Sequence, residues 1–249
     1  KAKEYYEKSA KLNNSSANLL LGKIYEQGFF VKQDYFKAEE YYIKSSKLHN
    51  SEALFLLGKI YENVKKDISK AIKYYSESAE LKDSDAFYEL GSLYFSGDYV
   101  KKDYSKSLDY FKKSSELGNS NAFWIIGLYY EMGIIVKQNY CKAKEYYKKS
   151  SELNNSMAFL YLGRLYENGL GVSKDYLSAG YYYKKSSELN NSKAFLFLGN
   201  LYEKGLGVEK NYLLAKEFYE KSSEFNESIA FLCLGNLYEK GLGVEKNYL

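Results

Sequence analysis

SMAFLYLGRLYENGLGVSKDYLSAGYYYKKSSEL, residues 156–189, is the stretch whose reading decides the fold. Ala158, Leu162, Gly163 and Tyr166 fall at i, i+4, i+5 and i+8, one stripe of an α-helix. Asn154-Asn155-Ser156 at its start are good N-cap residues. Gly169 ends this helix, and Gly171 allows the sharp turn that follows. Val172 is an apolar plug, and Lys174-Asp175 opens a second helix with Asp near its positive end. Ala179, Tyr182, Tyr183, Ser186 and Leu189 again fall at helical spacing. The stretch therefore predicts a helix, a glycine turn and a second helix.

The same pattern runs through the chain. Gly22, Gly58, Gly91, Gly127, Gly163, Gly199 and Gly235 recur at steps of 36, 33, 36, 36, 36 and 36 residues. A fixed period of this size marks a repeat array in which each unit buries its apolar face against its neighbours. A glycine in mid-helix costs about 1 kcal/mol relative to alanine, so its recurrence calls for a packing reason. Close approach of Gly163 on the first helix to Ala179 on the second would supply one. Second helices carry the pairs Tyr41-Tyr42, Tyr74-Tyr75, Tyr110-Phe111, Tyr146-Tyr147, Tyr182-Tyr183 and Phe218-Tyr219. Their spacing places them at the junction between helices, as core; the alternative is a platform for stacking sugars or bases.

Composition narrows the function. Hydrophobic residues make up 45% of the 249, and 30 tyrosines dominate the aromatic share. No apolar run reaches the roughly 20 residues that span a bilayer, so direct membrane insertion of this segment is not expected. The net charge of +4 comes from 36 basic and 32 acidic residues without a basic block, and Arg164 is the one arginine. That argues against a nucleic-acid partner, since arginine is suited to bidentate phosphate and base contacts. Cys141 and Cys233 fall at different places in the repeat and read as unlinked thiols, which suits a reducing compartment, the cytoplasm. The endoplasmic reticulum lumen or secretion is the alternative. Asn13, Asn14, Asn154, Asn190 and Asn226 each satisfy Asn-x-Ser, so glycosylation would separate the two, although helix capping explains these residues as well. His49 lies in a polar turn with no ligating neighbour. There is no P-loop, nucleophile elbow or Cys-x-x-Cys. The G-L-G-V strings at Gly169, Gly205 and Gly241 join two helices and lack the strand that a phosphate loop follows. No catalytic residue, metal or cofactor is expected, and the chain does not read as an enzyme.

The pattern A-x3-LG-x2-Y-x2-G-x-GV-x2-DY-x2-A-x2-YY-x-KSS resembles the Sel1-like repeat, a relative of the tetratricopeptide repeat. Gly205, Gly207, Val208, Ala215, Phe218 and Lys221-Ser222-Ser223 match its second half. The chain departs from it in having Ser-Ser where Ala-Ala is common and Tyr or Phe where Trp is common. In the second repeat, Glu62-Asn63-Val64-Lys65-Lys66-Asp67 replaces the glycine turn, a three-residue deletion expected to alter local twist and not the fold. The resemblance implies an all-α, right-handed superhelical solenoid of about seven 36-residue helix-turn-helix repeats. Residues 1–249 then form a single array, beginning within one repeat and ending as another helix opens at Asn247-Tyr248-Leu249, as part of a longer protein. Leu198–Leu213 and Leu234–Leu249 are identical, which marks the C-terminal end as the poorest place for a specific site.

Similarity to the tetratricopeptide architecture implies that first helices line a concave groove, with positions two, six and nine after each repeat's Ala facing it. The first row reads Leu19, Phe55, Tyr88, Trp124, Leu160, Leu196, Leu232. The second reads Lys23, Lys59, Ser92, Leu128, Arg164, Asn200, Asn236, and the third Glu26, Glu62, Phe95, Glu131, Glu167, Glu203, Glu239. The glutamates could form an acidic rail for a basic peptide, or simply a solvated face. Phe95 and Leu128 break the polar rows, and Trp124, the chain's one tryptophan, falls on the same face with Met132, Ile134 and Ile135 beyond it. Tyr88, Phe95, Trp124, Leu128, Met132 and Arg164 are therefore the candidate partner-binding residues, with core packing as the competing account of the aromatic ones. The expected function is a non-catalytic scaffold or adaptor that binds a protein or peptide segment, within a large complex. The alternative is a structural subunit that meets its neighbours through convex second helices.

Overall fold

The computed structural model describes residues 1–245, and the helix opening expected at Asn247-Tyr248-Leu249 lies outside them. The described residues hold fourteen helices and no strand. They divide into two compact units, residues 1–122 and residues 123 onward. The first unit opens with a second-type helix, α1 (Ala2–Lys11). Three helix pairs follow it: α2 (Ser15–Gln27) with α3 (Tyr35–Ser46), α4 (Ser51–Asn63) with α5 (Ile68–Glu80), and α6 (Ser84–Ser96) with α7 (Tyr104–Glu116). Helix α8 (Ser120–Met132) belongs to the second unit from Phe123 on and precedes α9 (Tyr140–Glu152). Then come α10 (Ser156–Asn168) with α11 (Tyr176–Glu188), α12 (Ser192–Lys204) with α13 (Tyr212–Ser223), and α14 (Ser228–Lys240).

The helix boundaries follow from local chemistry. Asn14, Asn50, Asp83, Asn155 and Asn191 cap first helices by accepting from the backbone N–H three residues on. The residue before each cap takes the left-handed conformation, as at Asn13, Asn154, Asn190 and Asn226, and as at His49, which is exposed. Capping thus explains Asn14 alone among the five Asn-x-Ser asparagines; the other four are there because Asn tolerates positive φ. Asp175, as expected, caps α11. Gly171, at φ +65°, also has a packing reason, because a Cβ there would stand 2.7 Å from Tyr140 Cβ at the start of α9. In the shortened second repeat, α4 ends at Asn63 and α5 begins at Ile68 behind an Asp67 cap, and the helix pair is retained.

The recurring glycine does serve close packing, but its partner is a ring and not the alanine. A Cβ on Gly22, Gly58, Gly127, Gly163 or Gly199 would lie 2.3–2.5 Å from Cε1 of Tyr42, Tyr75, Tyr147, Tyr183 or Tyr219. These five rings are fully buried, each lying against its glycine. The preceding aromatic stacks on the first helix in five of the six pairs, while Tyr74 meets Tyr61 tilted by 32°. Tyr41, Tyr110, Tyr146, Tyr182 and Phe218 face Tyr25, Tyr94, Tyr130, Tyr166 and Tyr202 at 5.5–5.8 Å, with interplanar angles of 9–18°. Both members of each pair are thus committed to packing within the repeat. The serine pairs divide their work. Ser45, Ser78, Ser114, Ser186 and Ser222 are buried and donate to the carbonyls of Ser15, Ser51, Ser84, Ser156 and Ser192, tying the end of each second helix to the start of its first. Ser115, Ser151 and Ser187 instead bond back to carbonyls three residues earlier. Leu189, expected on the buried stripe, is an exposed cap residue.

Candidate partner-binding site

The row of glutamates is spoken for inside the repeats. The hydroxyls of Tyr42, Tyr75, Tyr147, Tyr183 and Tyr219 donate to Glu26, Glu62, Glu131, Glu167 and Glu203. The bond is 2.7 Å at Tyr75 and 2.6 Å at Tyr147. Burial first, and the adjacent carboxylate second, hold all five phenols far above the ordinary range, so they remain donors. An acidic rail for a basic peptide would have to share these half-buried carboxylates with the tyrosine hydroxyls. The third repeat carries the matching exception: Phe111 stands where the others have Tyr, and Phe95 where they have Glu.

The six candidate residues divide between the units. In the first unit, Tyr88 is half-buried with its ring 5.5 Å from Phe111, and Phe95 meets Tyr104 edge-on at 5.5 Å. In the second unit, Trp124 is half-buried against the core of Ala143, Tyr147, Leu162 and Leu165. Its indole Nε1–H is buried and has no acceptor among the described residues. Its ring meets Tyr161 edge-on at 5.8 Å, and the Arg164 guanidinium lies 4.8 Å from the centroid of that same ring. The structure thus brings Trp124 and Arg164 together through Tyr161, a residue that the groove positions omitted. Aromatics at the position of Tyr161 and its equivalent Phe197 were the available signal, since each also packs on a buried Tyr, Tyr147 or Tyr183. Leu128 is half-buried, and Met132 at the end of α8 is 61% exposed.

Elsewhere the expected groove rows need correction. Leu19, Leu160 and Leu196 are buried, because each joins the cluster around a second-helix tyrosine, Tyr42, Tyr183 or Tyr219. The second row holds ion pairs between neighbouring first helices of the first unit: Lys23 with Glu52 at 2.6 Å, and Lys59 with Glu89 at 3.0 Å. Burial works against the Lys59 charge, but Glu89 and Glu62 more than offset it and hold its pKa above the ordinary value. A buried charge sits on α3. Glu39 accepts from Tyr61 and from Lys65 of the shortened turn, and these bonds outweigh the burial that would raise its pKa, which lies below the usual carboxylate value. On the second helices, Phe36, Leu177, Tyr181 and Leu213 are exposed. Among the described residues there is no cluster of His, Cys, Asp and Glu that could hold a metal ion, and no helix long and apolar enough to cross a membrane.

The Sel1 repeat family model matches residues 1–14, 15–50, 51–83, 84–119, 124–155, 157–191, 193–224 and 227–249. The chain belongs to the Sel1 repeat family. Among solved structures, it is similar to a Sel1 repeat protein from Oxalobacter formigenes, at 32% identity over 86% of this chain and 89% of that one, with a TM-score of 0.82. It is also similar to c5321, a protective antigen of uropathogenic Escherichia coli with an SLR fold, at 29% identity over 98% of this chain and a TM-score of 0.85. The chain spans about half of that antigen's length, 53%. Yeast Tom70, at 15% identity and a TM-score of 0.54 over 97% of this chain and 53% of its own, shares the fold alone. A search of curated proteins gave no match. Sel1 and related helical repeats generally mediate protein–protein interactions, and this solenoid family is typically non-catalytic.

Proposed function

We propose that this Sel1 repeat chain is a non-catalytic scaffold that binds a protein or peptide segment across the first-helix surface of its repeats. The observation that carries the reading is the Trp124–Tyr161–Arg164 group in the second unit, where a buried indole donor and a guanidinium stacked on an aromatic ring lie beside half-buried Leu128. Trp, Tyr and Arg are the residue types that dominate binding energy at protein interfaces. Met132 extends this surface, and Tyr88 and Phe95 are the candidates in the first unit. The free thiols, Cys141 exposed and Cys233 half-buried, fit a cytoplasmic scaffold within a larger complex.

The test is site-specific photo-crosslinking in cells, with a benzophenone side chain at Leu128, Met132 or Arg164 and, for comparison, at second-helix Lys148. Crosslinks from the first three to one partner, absent from Lys148, support the reading. The reverse pattern refutes it. A second reading, a structural subunit joined to its neighbours through second helices, is favoured by exposed Phe36, Leu177 and Leu213 at matching places on α3, α11 and α13. It predicts crosslinks from those three positions instead.

A further inference from the structure

Gly180 is the one mid-helix glycine of the second helices, and close packing does not explain it. Its equivalents in the other repeats are Glu39, Ile72, Leu108, Lys144 and Lys216, all of them long side chains. Unlike the glycines under the tyrosine rings, it has room: the nearest atom to a Cβ there is Leu201 Cδ1 at 3.4 Å. Gly180 lines a cleft of about 580 Å³ between α11 and α13, floored by α12. The clefts at the equivalent places between α3 and α5 and between α5 and α7 measure about 360 and 250 Å³. A helix-weakening residue that lines a cavity breaks the local rules of a stable fold, and such breaks concentrate at functional sites.

Chemistry at the cleft indicates what it takes. Its walls carry Tyr181, Phe195, Tyr202 and Phe218, and its rim carries Lys184 and Lys221. Lys184 and Lys221 are exposed and form no ion pair among the described residues, whereas the one rim carboxylate, Glu188, is engaged by Lys185 at 3.0 Å. The size suits a large side chain, since ligand pockets run from about 300 to 1,000 Å³. The uncompensated charge is positive. We infer that the Gly180 cleft binds an acidic peptide segment of a partner protein, which inserts one aromatic side chain over Gly180 and sets flanking carboxylates against Lys184 and Lys221. This site lies on the second-helix side and does not depend on the Trp124 surface, which the crosslinking experiment tests separately.

The measurement is fluorescence anisotropy of the whole chain with a labelled acidic hexapeptide carrying one central Phe. Controls are the same peptide with Ala for Phe, and a lysine peptide that keeps the Phe. Binding of the acidic Phe peptide is expected, with a loss of about tenfold or more when Phe becomes Ala, further weakening by salt, and no binding of the lysine peptide. Gly180→Ile carries the second repeat's residue into the cleft and should abolish binding while the thermal midpoint holds or rises. Lys184→Glu/Lys221→Glu should also abolish it. Absence of binding, equal binding of the Phe and Ala peptides, or unchanged binding by folded Gly180→Ile would each overturn the inference.

Discussion

Exchanging Phe111 and Phe95 for the residues found in the other repeats should give a strongly coupled double-mutant cycle. In five repeats the ring over the glycine carries a hydroxyl bonded to a glutamate, and in the third repeat both partners are Phe. Phe111 is 1% exposed, so Phe111→Tyr brings a hydroxyl into a buried site where its usual acceptor is absent. A buried polar group left unsatisfied costs about 1–3 kcal/mol. Phe95→Glu gives up the edge contact to Tyr104 and places a carboxylate beside an apolar ring, at a cost of roughly 1–2 kcal/mol in lost burial. If the effects simply added, the double variant would lose about 2–5 kcal/mol. With the Tyr–Glu bond restored it should recover about 1.5–3 kcal/mol of that, the worth of a hydrogen bond to a charged group. Urea unfolding of all four proteins gives the coupling energy. Amide exchange in α6 and α7 places it locally, which matters because long arrays do not always unfold in one step. Coupling within about 0.5 kcal/mol of zero, the usual additivity error for independent sites, would refute the account of Phe95 as the compensating partner of Phe111.

The glycines give a graded test of the ring-on-backbone packing. Gly163→Ala should destabilise by about 1–3 kcal/mol through overpacking, because its Cβ would meet Tyr183 at 2.4 Å. Gly235→Ala, with nothing within 4 Å among the described residues, should instead stabilise by up to about 1 kcal/mol from helix propensity; thermal melts of both variants check the sign. Glu39→Gln should cost about 1–3 kcal/mol at pH 7. Because the folded pKa of Glu39 lies below the ordinary value near 4.5, its contribution is present above that pH and is lost as pH falls through the lowered value. Stability curves of wild type and Glu39→Gln should therefore converge in acid, and a pH-independent gap would show that Lys65 contributes nothing through charge. Ser186→Ala should lose about 1 kcal/mol with its buried bond to Ser156, whereas Ser187→Ala, which removes a local back-bond, should fall within about 0.5 kcal/mol of wild type.

The period carried the helix pairs, caps and turns into view because these features depend on neighbours within a few residues. The Asp175 cap, the Gly169 stop and the buried Ala179–Tyr183–Ser186 stripe were all legible. What the period could not supply was depth. Leu19, Leu160 and Leu196 share a face with Lys23 and Arg164 on a helical wheel, yet they are buried because a tyrosine ring from the next helix lies over the adjacent glycine. That tertiary fact appears in no single helix. Departures from the repeat proved more informative than the repeat itself, provided they were read in pairs. Phe95 alone reads either as a binding residue or as core; beside Phe111 it is also the apolar counterpart of a Tyr–Glu bond, and the paired loss of hydroxyl and carboxylate was visible in the sequence. Gly180 has no such counterpart. Of its neighbours in the cleft, Phe195, Leu198 and Lys221 match Phe87, Leu90 and Lys113 of the smaller cleft, whereas Lys184 stands where that cleft has Ser76, and Tyr181 where the second repeat has Lys73. Gly180 gives up a side chain at a cost in helix stability while Tyr181 and Lys184 bring an aromatic ring and a charge to the same cleft, and that combination is the departure from which we infer a binding site.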